Sequence, residues 1–180
     1  MGSSWGGLHA LETVLSGLPV DFRTPIVIAQ HRSADSGSGA LARMLSVRSG
    51  HDVRDAGDKE PIEEGRVFLA PPDYHLLVDP EGFALSTEDT VQHSRPSIDV
   101  LFDSAADTYA EELVAVVLTG ANADGAYGVT RVKRRGGVVI VQEPETAEKR
   151  TMPDAAIATG VVDHVLPLGE IASKLMEFAA

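Results

Sequence analysis

The chain has no cysteine. That excludes disulfides, thiolate zinc sites and a cysteine nucleophile, and it agrees with a cytoplasmic location. Positive charge is scarce: 15 Lys and Arg stand against 27 Asp and Glu, for a net charge of −12. So acidic a chain carries no electrostatic footprint for nucleic acid or an anionic membrane. Its one dense basic run, Arg131-Val132-Lys133-Arg134-Arg135, falls late in a predicted helix, where cations complement the helix dipole. No apolar stretch approaches the length of a membrane span. The start, Met1-Gly2-Ser3-Ser4, has neither the basic nor the apolar region of a signal peptide. Internal repeats and low-complexity segments are also lacking. What is present is an ordinary globular composition, 43% hydrophobic and 23% charged over 180 residues, enough for one domain with a full core.

Hydrophobic periodicity organises the chain. Leu8, Leu11, Val14 and Leu15 recur at helical spacing until Ser16-Gly17-Leu18-Pro19 stops them. Residues 25–30 read as a buried strand and 40–47 as a second helix. Between Val53 and Ser86 short strand-like runs (66–69, 75–78, 83–85) alternate with turn clusters such as Asp79-Pro80-Glu81-Gly82, which predicts hairpins. Ile98, Leu101, Phe102, Ala105 and Tyr109 form one stripe of a helix over 97–110. Residues 113–118 and 138–141 read as strands buried on both faces, 124–135 as a helix stopped by Gly136-Gly137, and 153–158 as a short helix. A strand over 161–166 and a C-terminal helix complete the pattern. Alternating strands and helices predict an α/β fold, a three-layer, doubly wound, mostly parallel sheet with an antiparallel hairpin added at one edge.

Three polar stretches stand beside the apolar runs. Gly2-Ser3-Ser4-Trp5-Gly6-Gly7 opens the first helix, Gln30-His31 follows Ile26–Ala29, and Thr119-Gly120-Ala121-Asn122-Ala123-Asp124-Gly125 follows Leu113–Leu118. These are positions where parallel strands would end, and that edge is where ligands bind in open α/β sheets. A serine, a histidine and an aspartate there suggest a Ser-His-Asp hydrolase. Gly2-Ser3-Ser4-Trp5-Gly6 fits G-x-S-x-G, a tight turn that projects a serine hydroxyl toward free helix N–H groups able to hold an oxyanion. The same turn could cradle a phosphate, or Ser3 or Ser4 could be a plain helix cap. Of six histidines, only His31 leaves a strongly apolar strand for a polar loop; His9, His51, His75, His93 and His164 lack that setting. Asp124 is either a first-turn acid of its own helix or the group that orients the imidazole. Asn122 either steadies the loop or takes a turn position, and Asp99, Asp103 and Asp107 read as surface charge. The order Ser, His, Asp differs from the α/β-hydrolase order and argues against that fold.

Together these stretches resemble the catalytic domain of chemotaxis protein-glutamate methylesterases, the CheB family. Further matching segments are Leu69-Ala70-Pro71-Pro72-Asp73-Tyr74-His75-Leu76-Leu77-Val78, Arg95-Pro96-Ser97-Ile98-Asp99-Val100-Leu101-Phe102 and Met152-Pro153, so the similarity covers nearly the whole chain. The resemblance implies Ser4 as nucleophile, His31 as general base and Asp124 as its orienter. It also implies the backbone N–H groups of Trp5 and Ala121 as oxyanion donors, with Thr119, Gly120 and Asn122 lining the site. The implied substrate is a glutamate γ-methyl ester on the cytoplasmic helices of a chemoreceptor, with deamidation of receptor glutamines as a second activity. No metal or organic cofactor is implied.

Three departures from the family pattern follow. The receiver domain usual in the family is lacking, which leaves control by a separate receiver protein or an excised domain. Only Met1 and Gly2 precede the nucleophile turn, so the single domain over 1–180 is expected to have a truncated first strand. Trp5 replaces a small residue. The competing readings are an esterase of another substrate on the same scaffold, a catalytically silent receptor-docking module and, last, a nucleotide-binding turn.

Overall fold

The computed structural model describes residues 1–37 and 39–179. Seven strands form one parallel sheet: β1 (Gly2–Ser3), β2 (Ile26–Gln30), β3 (Asp52–Asp55), β4 (Arg66–Leu69), β7 (Val114–Val117), β8 (Val138–Gln142) and β9 (His164–Leu166). Their spatial order is β3-β4-β2-β1-β7-β8-β9. A hairpin of β5 (His75–Asp79) and β6 (Gly82–Ser86) makes a separate antiparallel sheet. The helices are α1 (Gly7–Gly17), α2 (Ala40–Ser49), α3 (Ile98–Tyr109), α4 (Ala126–Arg134), α5 (Thr151–Ala158) and α6 (Ile171–Phe178). None of them is long and apolar enough to cross a membrane.

Successive strand residues point to opposite faces, and both faces are covered. Ile28, Val116 and Ile140 pack with Leu11 and Leu15 of α1, Leu45 of α2 and Ile171 of α6. Their neighbours Ala29, Val117 and Val141 pack with Phe102 of α3, Val129 of α4 and Ala156 of α5. Both neighbours along each strand are therefore apolar, which is why these runs lack the alternation of a half-exposed strand.

The region 53–86 divides. β4, expected in a hairpin, joins the main sheet in parallel and pairs there with β3, a strand the sequence pattern did not indicate, with Val53 opposite Val67. The antiparallel pair is β5–β6, laid against α3 toward the β4 end of the sheet, where Phe83 meets Phe68 edge-on at 4.9 Å between ring centres. Residues 161–163, expected as strand, are a loop, with Val161 and Val162 still packed on the core.

β1 sits at the centre of the sheet and is two residues long. Met1 N donates to Val27 O at 2.6 Å, and burial lowers the pKa of this amine to about 5. Beside it, between Ile26 of β2 and Val114 of β7, lies an apolar cavity of about 290 Å³ at the edge of the sheet opposite the polar loops.

Candidate active site

β1 is the point where the strand order reverses, with β2 on one side and β7 on the other. Ligand crevices form at such switch points, beyond the carboxyl ends of the strands. Ser4 leaves β1, His31 leaves β2 and the 119–125 loop leaves β7, so the three polar stretches meet at one edge. Backbone bonds stitch them together: Ser4 N donates to Thr119 O and His31 N to Ser3 O, each at 2.9 Å. The turn after Ser4 closes through Gly7 N donating to Ser4 O at 2.9 Å. Gly6 makes that turn with φ 78°, and a Cβ there would also stand 2.7 Å from Glu148 Cβ.

Neither Ser3 nor Ser4 caps α1, because the cap position is Gly6. Ser3, fully buried, donates to Gln30 Oε1 at 2.6 Å. Gln30 Nε2 in turn donates to Ser4 O at 2.9 Å and to His31 O at 2.8 Å. A single amide thus clamps the peptide groups of both reactive residues. The backbone N–H groups of Trp5 and Ala121 make no hydrogen bond among the described residues.

His31 Nε2 contacts Asp124 Oδ2 at 2.7 Å. Asp124 is fully buried and does not cap its own helix, which begins at Ala126 behind Gly125. It caps α3 instead, accepting from Ser97 Oγ (2.9 Å), Ile98 N (2.7 Å) and Asp99 N (3.0 Å). Burial pushes its pKa up, but the hydrogen bonds from His31 and from α3 outweigh burial and hold it below the ordinary value. Asp99, expected as surface charge, is 6% exposed and caps α4 in return, accepting from Gly125 N at 2.9 Å and Gly128 N at 2.7 Å. Burial, joined by the nearby Asp124 charge, raises its pKa to about 6. Asp103 and Asp107 do lie at the surface, paired with Arg131, and Asp107 with Arg135 as well.

A cavity of about 620 Å³ opens over this edge, lined by Ser4, His31, Ala121 and Asn122 among others. Thr119 and Gly120, expected on its wall, lie beneath it. The Thr119 side chain turns inward, donating to Trp5 O at 2.9 Å and accepting from Lys149 N at 2.8 Å, while Gly120 N donates to Lys149 O at 3.1 Å. The Trp5 side chain is also outside the lining. It is 59% exposed, donates to Glu148 Oε1 at 2.7 Å and stacks beneath Lys149 Nζ at 5.8 Å. Asn122 steadies the loop, its Oδ1 accepting from Asp124 N at 3.2 Å.

Sequence reading missed four participants. Ser94 Oγ lies 3.1 Å from His31 Nδ1, and no hydrogen bond joins that nitrogen to Ser4 among the described residues. Arg32, nearly buried, anchors the loop after His31 through Asp55 (2.9 Å) and Ala70 O (2.6 Å). Ser97 braces Asp124, and His93 lines the cavity. Only Ser97, at the head of a helical stripe, left a sequence signal. Arg32 comes from the loop after β2, and His93 and Ser94 from the turn before α3. His51 and His75 are structural, bonded to Leu15 O and Asp89 O.

Fold and site together define a doubly wound α/β protein with a serine, an imidazole–carboxylate pair and free main-chain donors at its switch point. The family model described as CheB methylesterase matches residues 1–175, and the chain belongs to that family. A protein of Leptospira interrogans is 46% identical over 173 residues, covering 96% of this chain and 89% of its own length. A Thermotoga maritima protein-glutamate methylesterase/protein-glutamine glutaminase is 37% identical over 98% of this chain and 52% of its own. Against such longer relatives the chain spans about half the length. The crystal structure of the Thermotoga maritima CheB methylesterase catalytic domain is similar, with TM-score 0.94 and 37% identity over 98% of this chain and 95% of that one.

Proposed function

We propose that the chain is one methylesterase-type catalytic domain that hydrolyses glutamate γ-methyl esters on chemoreceptor helices, with Ser4, His31 and Asp124 as its triad. The observation that carries the reading is the His31–Asp124 pair, seated on the N-terminus of α3 and facing the cavity that Ser4 also lines. A carboxylate only accepts, so Asp124 keeps the ring proton on Nε2 and leaves the Nδ1 lone pair toward the cavity. Nδ1 takes the Ser4 proton as Oγ attacks the ester carbonyl. The N–H groups of Trp5 and Ala121 hold the oxyanion, a contribution commonly about 3 kcal/mol per donor. Methanol leaves with the proton from His31. Water, activated by the same nitrogen, then hydrolyses the acyl-enzyme and frees the glutamate carboxylate.

The same steps on a γ-amide release ammonia, in keeping with the glutaminase part of the relatives' names. In this reading the receptor's signalling helices make the cytoplasm the place of work. The test is release of radiolabelled methanol from methylated receptor membranes by the wild-type chain and by Ser4→Ala. Release by the wild type that vanishes in the variant supports the reading. Equal release by both refutes the nucleophile, and no release by a folded wild type refutes the substrate.

A further inference from the structure

The base of the proposed mechanism already has a hydrogen-bond partner, and that partner is not the nucleophile. With Nε2–H committed to Asp124, the neutral ring offers one lone pair, on Nδ1. Ser94 Oγ stands 3.1 Å from it, so the Ser94 hydroxyl is the donor of that bond. Ser4, Ser94 and His31 line the same cavity. One lone pair does not accept two hydroxyl protons at full strength, so a base engaged by Ser94 is a weaker base for Ser4.

Ser94 is placed there by a built turn. Val91 and Ser94 pair through both backbone bonds, at 3.1 and 2.9 Å, and Gln92 and His93 close the turn between them with φ of 50° and 63°. Asn122 Nδ2 donates to Gln92 O at 3.2 Å, which fastens the turn to the loop that carries Asp124. Arg95, the next residue, is anchored on Asp73, Thr87 O and Glu88 O. The backbone is thus held from both ends, while the Ser94 side chain needs only a change of χ1 well to release Nδ1.

We infer that Ser94 masks the general base: its hydroxyl occupies His31 Nδ1, and a seated ester turns it away so that Nδ1 passes to Ser4. This rests on the triad reading above. A small acylating probe that does not fill the cavity meets the masked base, whereas a receptor segment that fills it meets the free one. Ser94 therefore restrains idle reactivity without slowing turnover of the docked substrate.

The experiment compares the rate of labelling by a small fluorophosphonate, with the labelled residue identified by mass spectrometry, in the wild type, Ser94→Ala, Ser94→Thr and Ser4→Ala. The kcat/KM on methylated receptor is measured alongside. Removing one net hydrogen bond from the base is expected to speed labelling of Ser4 by about two- to tenfold in Ser94→Ala. Ser94→Thr, which keeps the hydroxyl, cancels that gain, and kcat/KM on receptor changes less than the labelling rate does in Ser94→Ala. A purely structural role for Ser94 does not produce a gain in rate that threonine cancels. Labelling of Ser4 in Ser94→Ala at the wild-type rate or slower overturns the masking while leaving the triad standing. Label found on Ser94, label persisting in Ser4→Ala, or no label on any of the folded proteins overturns the triad reading itself.

Discussion

Replacing Gly7 with alanine sets two effects against each other. Gly7 opens α1, and in a helix alanine is favoured over glycine by about 1 kcal/mol. Yet a Cβ on Gly7 would stand 2.0 Å from Gln30 Oε1 and 2.9 Å from Ser3 Cβ and Oγ. Gln30 cannot swing aside freely, because its amide holds Ser3 Oγ, Ser4 O and His31 O together. Displacing it loses three bonds, each worth about 0.5–1.5 kcal/mol net. The loss exceeds the helix gain, so Gly7→Ala is expected to destabilise by about 1–3 kcal/mol, the usual range for overpacking. Urea unfolding followed by circular dichroism measures that value, and the thermal midpoint should fall by about 2–4 °C for each kcal/mol. Activity should suffer more than stability. The same amide sets the spacing of the Ser4 and His31 peptides, and a misplacement of about 1 Å costs on the order of 10²-fold. Adding Gln30→Ala removes the obstruction, so the double variant should be more stable than the two single losses combined. A Gly7→Ala protein that is more stable than the wild type and fully active would refute the role of Gln30 as a brace.

Three further outcomes follow from the same geometry. Asp124→Asn no longer fixes the ring proton on Nε2 and should lower turnover by about 10³- to 10⁴-fold, as comparable changes do in serine-protease triads; a loss of less than tenfold would argue against Asp124 as orienter. Asp99 takes up its proton more readily folded, near pH 6, than unfolded, near 3.8, so its stabilising contribution is full below about pH 4 and is lost as the pH rises through 6. Asp99→Asn keeps an oxygen for Gly125 N and Gly128 N and removes the charge beside Asp124. Urea titrations should show that decline flattened and stability at pH 7 raised by on the order of 1–2 kcal/mol, and an unaltered profile would contradict the assignment. Trp5→Ala removes a largely exposed indole but keeps the backbone N–H, so stability should move by no more than about 0.5 kcal/mol and small-probe labelling should hold. A raised KM on receptor at constant kcat is the expected change, and lost probe labelling would place the indole in the chemistry instead.

Much of this protein was legible because local patterns carried it. The apolar runs at 26–29, 113–118 and 138–141 became the central strands, and the helical stripe from Ile98 to Tyr109 became α3, since burial on both faces or on one stripe writes itself into consecutive residues. Partner choice was not legible. Residues 66–69 have the local texture of a hairpin strand but pair in parallel with 52–55, because strand direction is decided by where the chain returns and not by residue type. Asp99 has the spacing of a surface residue on an amphipathic helix and is buried because the first N–H groups of α4 are aimed at it.

The candidate site divides along the same line. Sequence by itself determined which residues could react: a serine in a glycine-bounded turn, a histidine leaving an apolar strand and an aspartate in the loop after another. Each is a property of a few neighbouring residues. Only the tertiary structure decided what surrounds them. It turned Asp124 from a cap of its own helix into a cap of α3, placed the Gln30 amide between two peptide groups and brought Ser94 onto the base from 63 residues away. Hydrogen bonds act over about 3 Å whatever the separation along the chain, so their partners are set by packing and leave no periodic trace in the sequence.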